Sequence, residues 1–350
     1  MPERLTLSID AMGGDNAPDM VIEGIQVVLK KHPNLQFLLF GDEVKLTPTL
    51  KLYPIAAKAC EVRHTPDVIT NEAKVAQALR AGRNSSMRLA INAVGAGEAD
   101  GVISAGNTGA LMAMAKFVLK TLPGIDRPAI AAYFPTLHGD SVMLDLGANV
   151  ECDADNLVQF AVMGEAFART GLGIENPSVG ILNVGVEDLK GHQSVKDAAA
   201  VLQNIDLPIK FHGFVEGDDI AKGTVDVIVT DGFTGNIALK TAEGTAKMFG
   251  TLLKEALTSS PLSMLGALIA KPALSKLKER MDPRRYNGAM MLGLNGICVK
   301  SHGGTDGLGF ANAISVAAGL INNSINDDIK KDYARVKHDQ AENSQQVAGK

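Results

Sequence analysis

The stretch VDVIVTDGFTGNIALK (residues 225–240) decides the fold. It opens with a short continuous apolar run, turns through Gly-x-Thr-Gly, and continues with apolar residues at helical spacing. The same grammar occurs earlier in ADGVISAGNTGALMAMAK (residues 99–116). Working outward, apolar runs followed by polar corners recur in LTLSIDAMGGDNAP (5–18), LQFLLFGD (35–42), SVMLDLGANVECDADNLVQFA (141–161), SVGILNVGVEDLKGHQSVKDAAAVL (178–202) and IKFHGFVEG (209–217). Continuous apolar strands alternating with helical patterns predict βαβ units and a mainly parallel sheet covered on both faces, a three-layer α/β/α sandwich. Ligands of such sheets bind at the carboxyl ends of strands. The repeated corners are therefore expected to face one crevice.

Composition narrows the function. The chain has 350 residues, 46% hydrophobic, enough for a full core, and its 36 glycines suit tight strand-to-helix turns. Aromatics are 4% with no Trp, and the net charge is −5. These values argue against a stacking platform or a basic surface for nucleic acid. Cys60, Cys152 and Cys298 are far apart and odd in number, a pattern of reduced thiols in a cytosolic protein. The amino-terminal residues carry no signal-peptide pattern, and no run of about 18 apolar residues is present to span a bilayer. Histidine and cysteine spacings match no zinc site, so no metal is expected. No linker divides the chain: a single catalytic domain is expected over 1–336, with a polar, flexible tail over 337–350.

Residues 247–288 differ from the rest. Met248, Phe249, Leu252, Leu253, Ala256 and Leu257 have helical spacing, and a nearly uninterrupted apolar run covers 262–270. Lys and Arg number eight there against three acidic residues. One reading is an ordinary helical hairpin, over about 245–286, with a buried tip. The other is a projecting amphipathic hairpin whose tip (Leu262, Met264, Leu265, Leu268, Ile269) meets a dimer partner, an acyl chain or an anionic membrane.

The corners carry the chemistry. Small residues let backbone approach a ligand, and unpaired N–H groups at a helix start favour an anion such as phosphate. Asp10, Gly13, Gly14 and Asn16 lie in the first corner, Asn107, Thr108 and Gly109 in the second, Asp231, Thr234 and Asn236 in the third. Each alone is compatible with an ordinary turn or N-cap; three in one chain point to an anion or acyl phosphate site. NVGVEDLKGH (183–192) adds Asn183, Glu187, Lys190 and His192 just after a strand. Lys190 suits a phosphate as a point charge, or a plain surface lysine. Asp10, Asp145 and Asp231 end strands, where they orient donors, cap turns or, less favourably, hold Mg²⁺. No Walker loop, dinucleotide fingerprint or nucleophile elbow is present.

With these residues in view, the chain resembles the bacterial phosphate acyltransferase family of phospholipid synthesis. The resemblance runs in order through IDAMGGDNAP, ISAGNTGAL, LDLGAN, NVGVEDLKG, VIVTDGFTGN and YNGAMMLGLNGICVKSHGG, over roughly residues 5–330. One departure, Asn287 with Met290 and Met291, is expected to touch packing more than chemistry. The resemblance implies an α/β/α fold like that of isocitrate and isopropylmalate dehydrogenases and phosphotransacetylases. It implies a homodimer, no cofactor, and transfer of a fatty acyl group from acyl-acyl-carrier-protein to inorganic phosphate. It also implies a cytoplasmic protein loosely attached to the membrane, where a glycerol-3-phosphate acyltransferase would consume the product.

Phosphate is already a nucleophile, and a thioester expels a thiolate of pKa about 8.5. The enzyme then needs only to place phosphate and stabilise the oxyanion. Lys190 is assigned to phosphate or transition-state charge, Asn236 to the carbonyl oxygen, and the Gly13, Gly14 and Gly109 N–H groups with Asn107 and Thr108 to the phosphate cradle. Asn149 and His302 are further candidates. An acidic carrier protein would dock on Lys271, Lys276, Lys278, Arg280, Arg284 and Arg285. Rival expectations are a phosphotransacetylase using coenzyme A, a non-catalytic acyl or lipid-surface binding protein, and a dehydrogenase, for which no ligand set is visible.

Overall fold

A computed structural model describes residues 4–204 and 209–335; the tail expected over 337–350 lies outside the described residues. The strands are β1 (Leu5–Asp10), β2 (Leu35–Gly41), β3 (Cys60–His64), β4 (Gly101–Ser104), β5 (Ala129–Thr136), β6 (Gly139–Leu144), β7 (Ser178–Leu182), β8 (Lys210–Val215), β9 (Val227–Val229), β10 (Ala289–Leu292) and β11 (Ile297–Lys300). They form one sheet of order β3-β2-β1-β4-β11-β10-β5-β6-β9-β7-β8. Most neighbours pair in parallel; β10 is antiparallel to β11 and β5, and β5 to β6.

Alternation of side chains assigns the two faces. Ile9, Leu39, Ile103, Leu144 and Val229 pack with helices Asp19–Val28, Ala154–Leu172, Gln193–Asn204 and Gly307–Asn322. Their neighbours in the strands point the other way. Leu38, Phe40, Val102 and Cys298 meet helices Ser86–Gly95 and Thr108–Leu119. Ile130, Met143 and Ile228 meet Ala238 and Leu239 of helix Gly232–Thr258. Burial on both faces explains the continuous apolar runs: each side chain of β9, for example, is buried.

The strand directions correct one expectation. β1, β2, β3, β4, β11 and β5 run one way, and β10, β6, β9, β7 and β8 the other. The echoing corners after β4 and β9 therefore leave opposite edges of the sheet instead of standing side by side along one edge, as corners of parallel strands would. The local pattern of a strand–turn–helix unit is the same whichever way its strand runs, so it holds no information on that sign.

Helix Gly232–Thr258 reconnects the two edges. Asp231 caps it by accepting the Thr234 N–H at 2.9 Å, and its 27 residues extend about 40 Å at 1.5 Å per residue. β9 has three residues and β4, β10 and β11 four each, so the sheet is only about 10–14 Å deep there. The helix crosses that depth within a few turns, over Met143 of β6 and Ala289 at the start of β10. After Ser259 and Ser260, helix Pro261–Arg280 returns in contact with it and buries no side chain. Leu262, Met264, Leu265, Leu268 and Ile269 are all exposed on the chain, Leu262 at 79% and Ile269 at 76%. The alternative of a buried tip within the chain is thereby removed. Among the described residues no single helix is long and apolar enough to cross a membrane.

Candidate active site

Register builds the first cluster. Asp10 of β1 pairs with Ser104 of β4, and Ser104 with Lys300 of β11, so the carboxyl ends of three neighbouring strands stand abreast. Asp10 is 1% exposed. Its carboxylate accepts Ser86 Oγ at 2.6 Å, Ser104 Oγ at 2.7 Å and the Met12 N–H at 3.4 Å. Burial raises the Asp10 pKa, and these hydrogen bonds oppose the rise. Asp10 is thus the floor of the corner; the Gly13 turn lies over it. A Cβ at Gly13 would sit 2.5 Å from the Asp10 Oδ2 and 2.7 Å from the Gly106 nitrogen. Only glycine permits that approach of two turns.

Lys300 closes the corner. Its Nζ donates to the carbonyls of Ala105, at 3.2 Å, and Ser301, joining the walls on either side. Burial lowers its pKa to about 8, opposed by Asp10 and Asp15 and reinforced by Lys240. Two residues on, the His302 N–H donates to Asn287 Oδ1 at 2.8 Å, and His302 Nδ1 accepts the Gly304 N–H at 3.1 Å. Desolvation holds the imidazole below its ordinary value; Lys240, Lys300 and Lys247 add to this, and Glu243 opposes it. Lys240, Glu243 and Lys247 belong to helix Gly232–Thr258, so that helix reaches this edge.

These groups border a cleft of about 440 Å³, with Asn107, Thr108 and Gly109 on one side and Gly303 and Gly304 on the other. Asn107 caps helix Thr108–Leu119 by accepting the Ala110 N–H at 2.9 Å, while its amide donates to the carbonyls of Asn71 and Ala73. Asn16 donates to Thr305 O at 3.1 Å. The Asn107 and Asn16 amides expected in the phosphate cradle are instead engaged in shaping it. The N–H groups of Thr108 and Gly109, at the helix start, have no partner among the described residues.

The second cluster lies at the carboxyl ends of β6, β9 and β7. Asp145, fully buried, accepts the N–H groups of Ile130, Gly147, Ala148 and Asn149 and the Asn149 side-chain amide, the last two at 2.8 Å. The Asn149 amide also donates to Pro128 O, so its donors fold the loop. Asp231 accepts Thr234 Oγ at 2.7 Å, which engages that hydroxyl as well. A Cβ at Gly235 would lie 1.9 Å from the Asp145 carbonyl oxygen, so the helix start is pressed onto the Asp145 loop. Asn236 is exposed beside Gly147.

In the loop after β7, the Asn183 amide donates to the carbonyls of Gly185 and Lys190, and Lys190 pairs with Glu187 at 2.8 Å. That hydrogen bond raises the Lys190 pKa and lowers that of Glu187. His192 is exposed, and its carbonyl starts the next helix by accepting the Val195 and Lys196 N–H groups. The structure thus groups Asp10, Gly13, Gly14, Asn16, Asn107, Thr108, Gly109 and His302 on one edge. It groups Asn149, Asn183, Glu187, Lys190, His192, Asp231, Thr234 and Asn236 on the other.

Sequence reasoning missed Lys300, Ser86, Ser104 and Asn287. A signal for Lys300 was present: it ends an apolar strand in ICVKSHGG as Asp10 ends one in LTLSID. Asn287 is buried, donating to Ser301 Oγ at 2.8 Å and Gly309 O at 2.7 Å while holding the His302 N–H; it shapes the site as well as the packing. Of the cations expected to dock a carrier protein, Arg280 donates to the Thr136 and Leu137 carbonyls, Arg284 pairs with Asp282 and Asp306, and Arg285 with Glu279. Lys271, Lys276 and Lys278 are exposed and have no ion-pair partner among the described residues.

The profile of a family described as fatty acid synthesis protein matches residues 5–328. The chain is 63% identical over 337 residues to the phosphate acyltransferase of Rhodospirillum centenum, covering 96% of this chain and 95% of that protein. It is 58% identical over 349 residues to the phosphate acyltransferase of Paramagnetospirillum magneticum, covering 100% and 99%. In fold it is similar to a phosphotransacetylase from Streptococcus pyogenes, with TM-score 0.61, 18% identity and coverage of 92% and 95%. It is also similar to a branched-chain phosphotransacylase from Enterococcus faecalis, with TM-score 0.53, 14% identity and coverage of 91% and 99%. This chain therefore belongs to the phosphate acyltransferase family of fatty acid synthesis proteins, and it is an acyltransferase enzyme.

Proposed function

We propose that the enzyme transfers a fatty acyl group from acyl-acyl-carrier-protein to inorganic phosphate, giving acyl phosphate for phosphatidic acid and phospholipid synthesis. The observation that carries the reading is the cleft at the ends of β1, β4 and β11. The N–H groups of Thr108 and Gly109, without a partner among the described residues, stand there at a helix start, the position where backbone and dipole favour an anion. A phosphate seated there needs no covalent enzyme intermediate: an oxygen of phosphate attacks the thioester carbon, the carbonyl oxygen takes the negative charge, and collapse expels the carrier's thiolate.

The second cluster is assigned to the thioester. Asn236, exposed over the rigid Asp145 loop, donates to the developing oxyanion, a contribution of about 3–4 kcal/mol. Lys190, on the exposed loop that follows the neighbouring strand β7, steadies transition-state charge after exchanging Glu187 for substrate. Helix Gly232–Thr258 links the clusters: Asn236 and Lys240 stand four residues, about 6 Å, apart along it, and the Lys240 charge is felt by Lys300 and His302, so a thioester held by Asn236 comes within reach of a phosphate in the cleft. The fold is assigned to the isocitrate and isopropylmalate dehydrogenase type, and the chain to a homodimer, on the strength of the resemblance already described.

The exposed tip of Leu262, Met264, Leu265, Leu268 and Ile269 is assigned to a peripheral attachment to the membrane surface, where a glycerol-3-phosphate acyltransferase consumes the product. Lys271, Lys276 and Lys278 are assigned to the acidic carrier.

The test is direct. Purified protein is incubated with long-chain acyl-acyl-carrier-protein and inorganic phosphate, without metal or nucleotide, and thioester loss and acyl phosphate are followed. Phosphate-dependent acyl phosphate supports the reading. Turnover only with coenzyme A thioesters moves it to a phosphotransacetylase-type enzyme, and silence with both donors sinks the reading.

A further inference from the structure

We propose that Lys300 is the phosphate-binding cation of the cleft, the residue whose positive charge sets the enzyme's affinity for its nucleophile. The inference rests on the reading above, that inorganic phosphate is the acceptor.

Of the side chains bordering the cleft, Asp15 is an acid hydrogen-bonded by Asn71 at 2.9 Å, and Asn107 is engaged in capping. His302 is biased toward its neutral form. Among the described residues Lys300 is the one lysine or arginine that lines the cleft. Its ammonium is held rather than swinging, because it bridges the Ala105 and Ser301 carbonyls from the last position of β11. An ammonium has three donors, and two are engaged there, so one N–H is left for a ligand. A held cation in the cleft that Thr108 and Gly109 also line offers a phosphate a third donor besides their N–H groups.

The surroundings make that charge conditional. Burial pulls the Lys300 pKa to about 8, Lys240 of the long helix pulls the same way, and Asp10 beneath and Asp15 beside it pull back. His302 is the remaining titratable neighbour and responds to Lys300 in turn. A dianion arriving at the amine favours its protonated form, so phosphate binding above pH 8 must draw in a proton.

The experiment is calorimetric titration of the protein with inorganic phosphate alone, at about pH 8.5, in buffers of different ionisation enthalpy. At that pH phosphate itself is already past its second ionisation. Wild type is expected to take up roughly three-quarters of a proton per phosphate bound, from an amine titrating near pH 8. Lys300→Arg keeps a permanent charge and is expected to bind without proton uptake. Lys300→Met is expected to bind about tenfold to hundredfold more weakly at pH 7, the scale of one charge-assisted hydrogen bond. Wild-type affinity in Lys300→Met, no proton uptake or no binding in wild type, or uptake persisting in Lys300→Arg would each overturn the proposal. If Lys300→Met fails to fold by circular dichroism, the Arg variant decides alone. The two readings fail separately. Acyl phosphate formed with an unchanged phosphate KM in Lys300→Met sinks this inference only. Normal proton-linked phosphate binding without acyl transfer sinks the acyltransfer reaction only.

Discussion

The Asn287 side-chain Oδ1 accepts the His302 N–H at 2.8 Å, while its side-chain amide N–H groups donate to Ser301 Oγ and the Gly309 carbonyl. One buried side chain thus ties the 3₁₀ turn Pro283–Tyr286, the end of β11 and helix Gly307–Asn322 together beneath the cleft. Asn287→Leu keeps most of the volume but leaves the Ser301 hydroxyl, the Gly309 carbonyl and the His302 N–H without their partner. A loss of about 2–4 kcal/mol is expected in urea denaturation. The phosphate KM is expected to rise as the His302 loop loosens. An unchanged midpoint would show that other groups or water satisfy the three atoms.

Asp10→Asn tests the floor of the same corner. Asparagine keeps the shape and can still bond Ser86 and Ser104. It removes the negative charge that holds the Lys300 proton against burial. The Lys300 pKa therefore moves further below about 8, and the alkaline rise of the phosphate KM is expected at lower pH than in wild type. A limb that stays put, or moves to higher pH, contradicts this sign.

At the second cluster, Asn236→Ala is expected to lower kcat by about 10²–10³ with little change in the phosphate KM, the signature of an oxyanion donor. Lys190→Ala is expected to lower kcat as well, and Glu187→Gln to leave it near wild type, because Glu187 only parks the ammonium. Normal turnover in both alanine variants removes this cluster from the reaction.

Far from the cleft, Arg169 bonds Glu165 twice at 3.2 Å and Asp332 at 2.6 Å, fastening the last described helical residues to helix Ala154–Leu172. Burial raises the Glu165 pKa, and Arg169 opposes the rise while Asp332 and Asp328 add to it. Arg169→Met pushes Glu165 further up. A raised carboxyl favours the fold below the unfolded pKa and loses that contribution as pH rises through the folded value. The variant's deficit is therefore expected to open with rising pH, reaching about 1–3 kcal/mol at neutrality, a buried-pair figure discounted because Arg169 is a third exposed. Thermal melts across acid to neutral pH read it directly; a deficit independent of pH would assign the loss to packing.

Much of this was legible in residues 225–240 and their echoes. An apolar run, a Gly-x-Thr-Gly turn and a helical pattern are local events, decided by side-chain burial and backbone sterics within a dozen residues. They sufficed for β1, β2, β4, β6, β7, β8 and β9, the parallel pairing of most neighbours and the polar corners, but not for β3, β5, β10 and β11, which carry no such corner in the stretches read. A nearly uninterrupted apolar run over 262–270 was equally legible, though not its exposure. Strand direction was not: β5 and β10 reverse the sheet through pairings of residues far apart in the chain, such as Met290 with Ala131. That reversal sorted the corners to two edges and made a 27-residue helix the link between them. It also decided which polar side chains remain available, since Asn16, Asn107 and Asn149 found partners brought in by distant segments. Lys300 shows the physical reason most plainly. Its residue type is written at position 300, but its lowered pKa is the sum of burial, Asp10, Asp15 and Lys240, and those neighbours exist only once the chain has folded.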